Sequence, residues 1–216
     1  MQNGLSLIIP AAAEPVTLAE AKLFAKIDVT DDDTLVADLI TGARKLLEER
    51  WDWSFLTQTW DYFLDAFPWE SGSFPANADS ELLQPPQGVQ LVGGGPIMLP
   101  RQPVQSVTSI KYTDYLGAQS TINSGDYTVD ISNNRAPRIL PNIGKFWPVV
   151  NLQVANGVVV RFISGYSSDP IDVPAQAKLT IQKLVNYWYY NRADAGVLPS
   201  WVDAEIEGLR SGFAYA

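Results

Sequence analysis

Residues 28–34 read DVTDDDT, placing four carboxylates within six positions, a density at which a hard divalent cation can be held. A calcium loop of the EF-hand type needs Gly at its sixth position and Glu at its twelfth. Counted from Asp28, those positions hold Asp33 and Leu39, so the pattern fails. The run reads better as a helix start. Thr30 serves as N-cap, and Asp31, Asp32 and Asp33 face the positive end of the helix dipole at roughly 0.3 to 1 kcal/mol each. Two further carboxylate pairs, Asp61 with Asp65 and Asp126 with Asp130, share a strand face by the period of two, the placement a glycosidase would need. Any acidic chain offers such pairs, and a solvated face accounts for them better. The GGG of residues 93–95 lacks the Lys-Ser/Thr of a phosphate loop and opens no helix, so it reads as loop flexibility.

The chain of 216 residues contains no histidine and no cysteine. Thiol nucleophiles, thiolate or imidazole zinc sites, Ser-His-Asp machinery and imidazole bases are thereby excluded. No residue is assigned as catalytic, cofactor-binding or metal-ligating. A net charge of -9 opposes sequence-specific binding to the phosphate backbone. No basic residue precedes Lys22 and no window approaches the ~18 apolar residues of a membrane span, so neither a secretory leader nor a membrane partner is expected.

Aromatic residues are the remaining candidates: WDWSF at 51–55, Trp60, Tyr62, Phe63, and the run Tyr187, Trp188, Tyr189 and Tyr190. Rings of this kind fill cores, cover subunit interfaces or stack on sugars and bases. Trp188 continues a helical core stripe. Tyr187, Tyr189 and Tyr190 point around the other sides of the same helix, where an adjacent subunit would cover them.

The elements that must position these residues fall into two kinds. Helical spacing runs through Leu18, Ala21, Phe24 and Ile27, then Leu35, Leu39, Ala43, Leu46 and Leu47. The first helix opens on a capping box, Thr17 with Glu20. From Thr57 the pattern changes to period-two alternation, with strand candidates in TQTWDYFLDAF, PIMLP, QSVTSIKYTD, QSTIN, DYTVDI, PRILP and GVVVRFISGY. A long Pro/Gly-rich segment at 68–96 is either a mobile loop or an arm that orders against a partner. Helical spacing returns after Pro174, placed at the first helical position, with Ala177, Ile181, Leu184, Val185 and Trp188 on one face. A short helix from Ser200 follows. The terminal SGFAYA either frays or inserts into something else. The expected fold is α+β: a helical bundle from residues 1–55 and 171–216, with a small antiparallel β domain inserted at 56–170.

Taken in order, PVTLAEAK at 15–22, DDD before LVADLITGAR, LTQTW at 56–60, LPRQPVQSVTSIKY at 99–112, DYTVD at 126–130, RILP at 138–141, FWP at 146–148, VVVRFISGY at 158–166, VPAQAKLTI and NYWYYNR resemble the head-tail connector (adaptor or head-completion) proteins of tailed phages. The resemblance spans roughly residues 15 to 210; the chain departs from it at 68–96 and at SGFAYA. It implies a non-enzymatic structural protein of the virion neck, assembled in the host cytoplasm as a dodecameric ring beneath the portal. That ring would extend the DNA channel and offer a surface to the tail or stopper protein. Genomic DNA would pass through without sequence-specific binding, and an acidic wall suits a conduit that must not grip phosphates. By position the resemblance carries portal docking onto Leu209, Arg210, Phe213 and Tyr215. The rival reading is a carbohydrate- or receptor-binding β module of a virion, with Trp and Tyr as stacking platforms.

Overall fold

The computed structural model describes residues 4–68, 94–133 and 136–205. The chain divides into two compact units, one of Met1–Ile8, Thr59–Pro100 and Val104–Ile163, the other of Ile9–Gln58, Arg101–Pro103 and Ser164–Ala216. Both helices and antiparallel sheet are present, as an α+β chain requires.

The strands are β1 (Gly4–Ile9), β2 (Gln58–Leu64), β3 (Ile97–Met98), β4 (Val104–Thr113), β5 (Gln119–Thr121), β6 (Tyr127–Asp130), β7 (Arg138–Pro141) and β8 (Val158–Ser164). They form a five-stranded sheet ordered β1-β2-β8-β4-β5 and a three-stranded sheet ordered β3-β7-β6. Each strand candidate in the sequence holds one of these strands; β1 is an additional strand that the sequence reading did not assign. Its segment GLSLII alternates only over Leu5, Ser6 and Leu7 before the apolar pair Ile8-Ile9, shorter than the run by which a half-buried strand is recognised.

Alternation works best in β8, where Val158, Val160 and Phe162 are buried while Arg161 lies outside. With Trp60, Leu64, Phe67, Ile97, Ile110, Ile139 and Trp147 they build the core of the first unit. Arg161 holds the carboxylate of Asp61 with two hydrogen bonds of 2.7 Å each, so Asp61 is buried and paired. Asp65 Oδ1 accepts the Asn156 N–H at 3.1 Å. Asp126 lies in the 3-10 turn Ser124–Asp126 rather than on a strand, ion-paired to Lys145, while Asp130 accepts hydrogen bonds from Arg138 and Ser132. Neither carboxylate pair of the sequence reading therefore faces an open cleft as a pair.

In the second unit α1 (Leu18–Ala25), α2 (Asp33–Trp51) and α3 (Ala175–Tyr190) share one core. The expected capping box is present: Thr17 Oγ1 accepts Glu20 N–H at 3.2 Å, and Glu20 returns a bond to Thr17 N–H at 2.7 Å. The backbone and hydroxyl donors of Thr17 hold the Glu20 carboxyl below its ordinary range. Thr30 is not the N-cap of the second helix. That helix starts at Asp33 with Asp32 in the cap position and no side-chain cap bond. The carboxylates have other partners: Lys22 takes Asp33, and Asp32 Oδ2 accepts Tyr189 O–H at 2.5 Å. With its carboxylate bonded to Tyr189, Asp32 makes no side-chain cap bond to the helix backbone.

The buried stripe of α2 is Val36, Ile40, Ala43 and Leu47, with Leu35, Leu39 and Leu46 beside it. On α1 Ala21 and Ala25 are buried and Phe24 is exposed. On α3 the stripe Ala177, Ile181, Leu184, Val185 and Trp188 is buried as its spacing predicts, and Pro174 is the N-cap residue, one position earlier than expected. Residues 200–205 are helical. Among the described residues no helix is long and apolar enough to cross a membrane.

Between Arg44, Glu14 and Glu48 the second unit holds a charged network. Arg44 Nη1 donates to Glu48 Oε2 at 2.7 Å and Arg44 Nε to Glu14 Oε2 at 2.7 Å. Glu48 Oε1 also accepts Phe55 N–H and Gln58 Nε2, each at 2.9 Å, tying α2 to the turn that follows it. Burial opposes the charge on Arg44, but the two carboxylates outweigh it and raise its pKa.

Candidate interaction surface

Residues 142–157, NIGKFWPVVNLQVANG, join β7 to β8 without regular secondary structure and without a carboxylate. A connection of this length inside a compact unit is either functional or disordered. Here it is pinned. The Trp147 ring is 2% exposed and stacks on Phe67 with centroids 5.4 Å apart and planes 9° from parallel, and its Nε1 donates to Gly95 O at 2.9 Å. Further along, Tyr115 N–H donates to Asn151 O at 2.9 Å, Gln153 N–H to Thr113 O at 3.1 Å, and Thr113 N–H to Gly157 O at 2.9 Å. Gly157 is required where it stands. A Cβ there would lie 2.9 Å from Asp65 O and from Leu152 Cβ.

With its backbone and Trp147 fixed, the loop turns apolar side chains outward: Ile143 is 106% exposed, Phe146 53%, Val149 81%, Val150 42% and Val154 99%. Beside them the turn after β4 exposes Tyr115 and Leu116. Segments 65–67 and 148–153 enclose a groove of about 420 Å³ whose walls include Phe67, Val149, Val150 and Leu152. Among the described residues of its lining the one ionisable group, Asp65, already accepts the Asn156 N–H. Single exposed aliphatics need no explanation, but a run of them on a loop held by these bonds is the candidate interaction surface. Strand β1, at the edge of the five-stranded sheet, is a second apolar feature of the described surface, with Leu7 44%, Ile8 41% and Ile9 58% exposed.

The tyrosines predicted to cover a subunit interface make bonds within their own unit. Tyr187 O–H donates to Asp194 at 2.8 Å and Tyr190 O–H to Ala25 O at 2.9 Å; Tyr189 bonds Asp32 with Arg192 over its ring, 5.6 Å from the centroid. The bonds to Asp194 and Asp32 raise the pKa values of Tyr187 and Tyr189. Tyr190 still exposes 63% of its surface. Leu209, Arg210, Phe213 and Tyr215 lie outside the described residues, as does most of 68–96. Among the described residues no group of three or more Asp or Glu is placed to hold a metal ion. Trp51, Trp53, Trp60, Trp147 and Trp188 are all buried, and Trp201 partly so, which leaves no described tryptophan as an open sugar platform. Sequence reading missed the 142–157 surface because an apolar loop has no periodicity; its signal was the absence of acidic residues in an acidic chain.

No family model and no curated protein matches this chain. Solved structures do. A chain from the neck of an empty gene transfer agent particle, computed with C6 symmetry, is similar over 96% of this chain and 94% of its own, with a TM-score of 0.66 and 20% identity. A chain from the virion of the native gene transfer agent particle matches over 96% and 94%, with a TM-score of 0.66 and 18% identity. A third, from the neck of the native particle computed with C12 symmetry, matches over 96% and 93%, with a TM-score of 0.61 and 20% identity. At these identities the likeness establishes a common fold.

Proposed function

We propose that this chain is a structural protein of the neck of a phage-like virion, a head-tail connector whose copies close into a ring beneath the portal. The supporting observation is the likeness, across nearly the whole chain, to chains from particle necks treated with six- and twelve-fold symmetry. The residues that resemble tailed-phage connectors point the same way, and they lead to a dodecamer as the ring size. A cyclic ring needs heterologous contacts, and the pinned apolar loop and the edge strand β1 are surfaces suited to making them. In this reading the ring extends the DNA channel, its acidic copies let the genome slide rather than hold it, and its far face receives the tail or stopper protein. The segment containing Leu209, Arg210, Phe213 and Tyr215 docks on the portal, and the chain performs no catalysis.

Native mass spectrometry of the protein, alone and with intact portal rings from the same particle, tests this. A closed stoichiometry matching the portal supports the connector. Failure to associate in either setting, with the portal ring intact, overturns it.

A further inference from the structure

We infer that in the assembled ring the groove beside residues 148–153 of one copy receives strand β1 of the next, with Ile8 as the inserted side chain. This rests on the ring reading above and names its contact.

A closed ring needs two different faces on each copy, one to give and one to receive. The first unit carries such a pair, made from distant stretches of sequence: an edge strand that exposes Leu7 and Ile8, and a groove of about 420 Å³ walled in part by Phe67, Val149, Val150 and Leu152. Charge narrows the choice further. Each copy has a net charge of -9, so neighbouring copies repel, and contact is favoured where carboxylates are few or already hold a partner. GLSLII has no charged residue. The loop at 142–157 has only Lys145, which is ion-paired to Asp126 at 2.7 Å, and the carboxylate among the described groove residues, Asp65, already accepts the Asn156 N–H at 3.1 Å.

The two edges of the five-stranded sheet point to the same strand. At one edge β5 is three residues long and polar, Gln119, Ser120 and Thr121, the usual protection against stray strand pairing. At the other, β1 is six residues long, uncharged and free of proline. An edge of that kind, unpaired on its outer side among the described strands, is a liability in a free protein and an asset in one that assembles. The groove is preorganised for the complementary role. Trp147, its stack on Phe67 and the Tyr115, Gln153 and Asn156 backbone bonds hold the walls, so little conformational freedom is lost on contact.

The test uses two single variants of the full chain, Ile8→Asp on the strand and Val149→Asp on the groove, both at exposed positions. It is run in the state, free or portal-bound, where the unmodified chain forms its ring. Each variant alone is expected to lose the ring, with association weakened about 30-fold or more, the scale of a central interface residue. Mixed one to one, they should form a dimer containing one of each, because the intact groove of the first still fits the intact strand of the second. Circular dichroism verifies folding, and Ile8→Ser with Val149→Ser should reproduce the mixing result if either aspartate variant misfolds. Rings of unmodified stoichiometry from either folded variant overturn the inference, as does a mixture of folded variants that stays monomeric. Variants that ring normally but no longer bind another virion protein also overturn it, by assigning these faces to that partner. An unmodified chain that forms no ring in any state overturns the connector reading itself, a result distinguishable from all of these.

Discussion

Replacing Arg44 with methionine is the sharpest probe of what holds the helical unit together. The side chains of Arg44 and Glu48 are 9% and 7% exposed, so the pair sits away from water, whereas Glu14 at 29% is partly solvated. Methionine keeps most of the arginine's apolar length but leaves the Glu48 carboxylate buried with only the Phe55 N–H and Gln58 amide as donors. Removing one partner of a buried pair costs about 3 to 5 kcal/mol, mostly from the stranded charge. At roughly 2 to 4 °C per kcal/mol for a chain of this size, Arg44→Met should lower the midpoint of helix melting by about 6 to 20 °C. The charge, rather than lost packing, is isolated by adding Glu48→Gln. A neutral Gln at 48 can still accept the Phe55 N–H, so the double variant should be more stable than Arg44→Met by about 1.5 kcal/mol or more. Thermal melts followed by circular dichroism at the helical signal, with the full cycle of four proteins, supply the measurement. A loss below about 1 kcal/mol for Arg44→Met, or a double variant no better than the single one, would refute the reasoning.

Burial raises the Tyr166 pKa from 10.0 to about 12, the Trp53 Nε1–H bond at 3.0 Å opposing it only in part. The unfolded chain therefore loses this proton near pH 10 while the folded one keeps it, so stability is full below pH 10 and falls between pH 10 and 12. The loss should be about 1 to 2 kcal/mol after solvent screening, and Tyr166→Phe should flatten that part of a urea-denaturation pH series. Trp147→Ala removes the stack on Phe67 and the bond to Gly95 O, and should destabilise the first unit by about 3 to 5 kcal/mol. Hydrogen exchange should then quicken in residues 142–157 before it does in β8, and equal protection in both would contradict a pinning role. Truncation after Arg210 should leave the helical melt unchanged and abolish portal binding in a pull-down; a truncated protein that still loads onto portals removes the docking proposal.

Local chemistry was legible in the sequence wherever it repeats or caps. Thr17 and Glu20 form their box, the α3 stripe from Ala177 to Trp188 is buried, and β8 alternates as its pattern predicts, because each depends on residues within a few positions. Absence was legible too: without histidine or cysteine, whole classes of catalysis are closed whatever the fold. Tertiary structure decided what depends on partners far along the chain. Asp32 and Asp33 have Tyr189 and Lys22 as partners, a pairing across as many as 157 positions that no local rule foresees. GLSLII is a strand because β2 lies beside it, though its own alternation lasts only from Leu5 to Leu7. The groove exists because Trp147 finds Gly95 and Phe67, fixing a loop whose sequence specifies no shape by itself. Periodicity encodes which face of an element is buried, whereas a binding surface is made of faces left uncovered, and those are known only once every other face has found its partner.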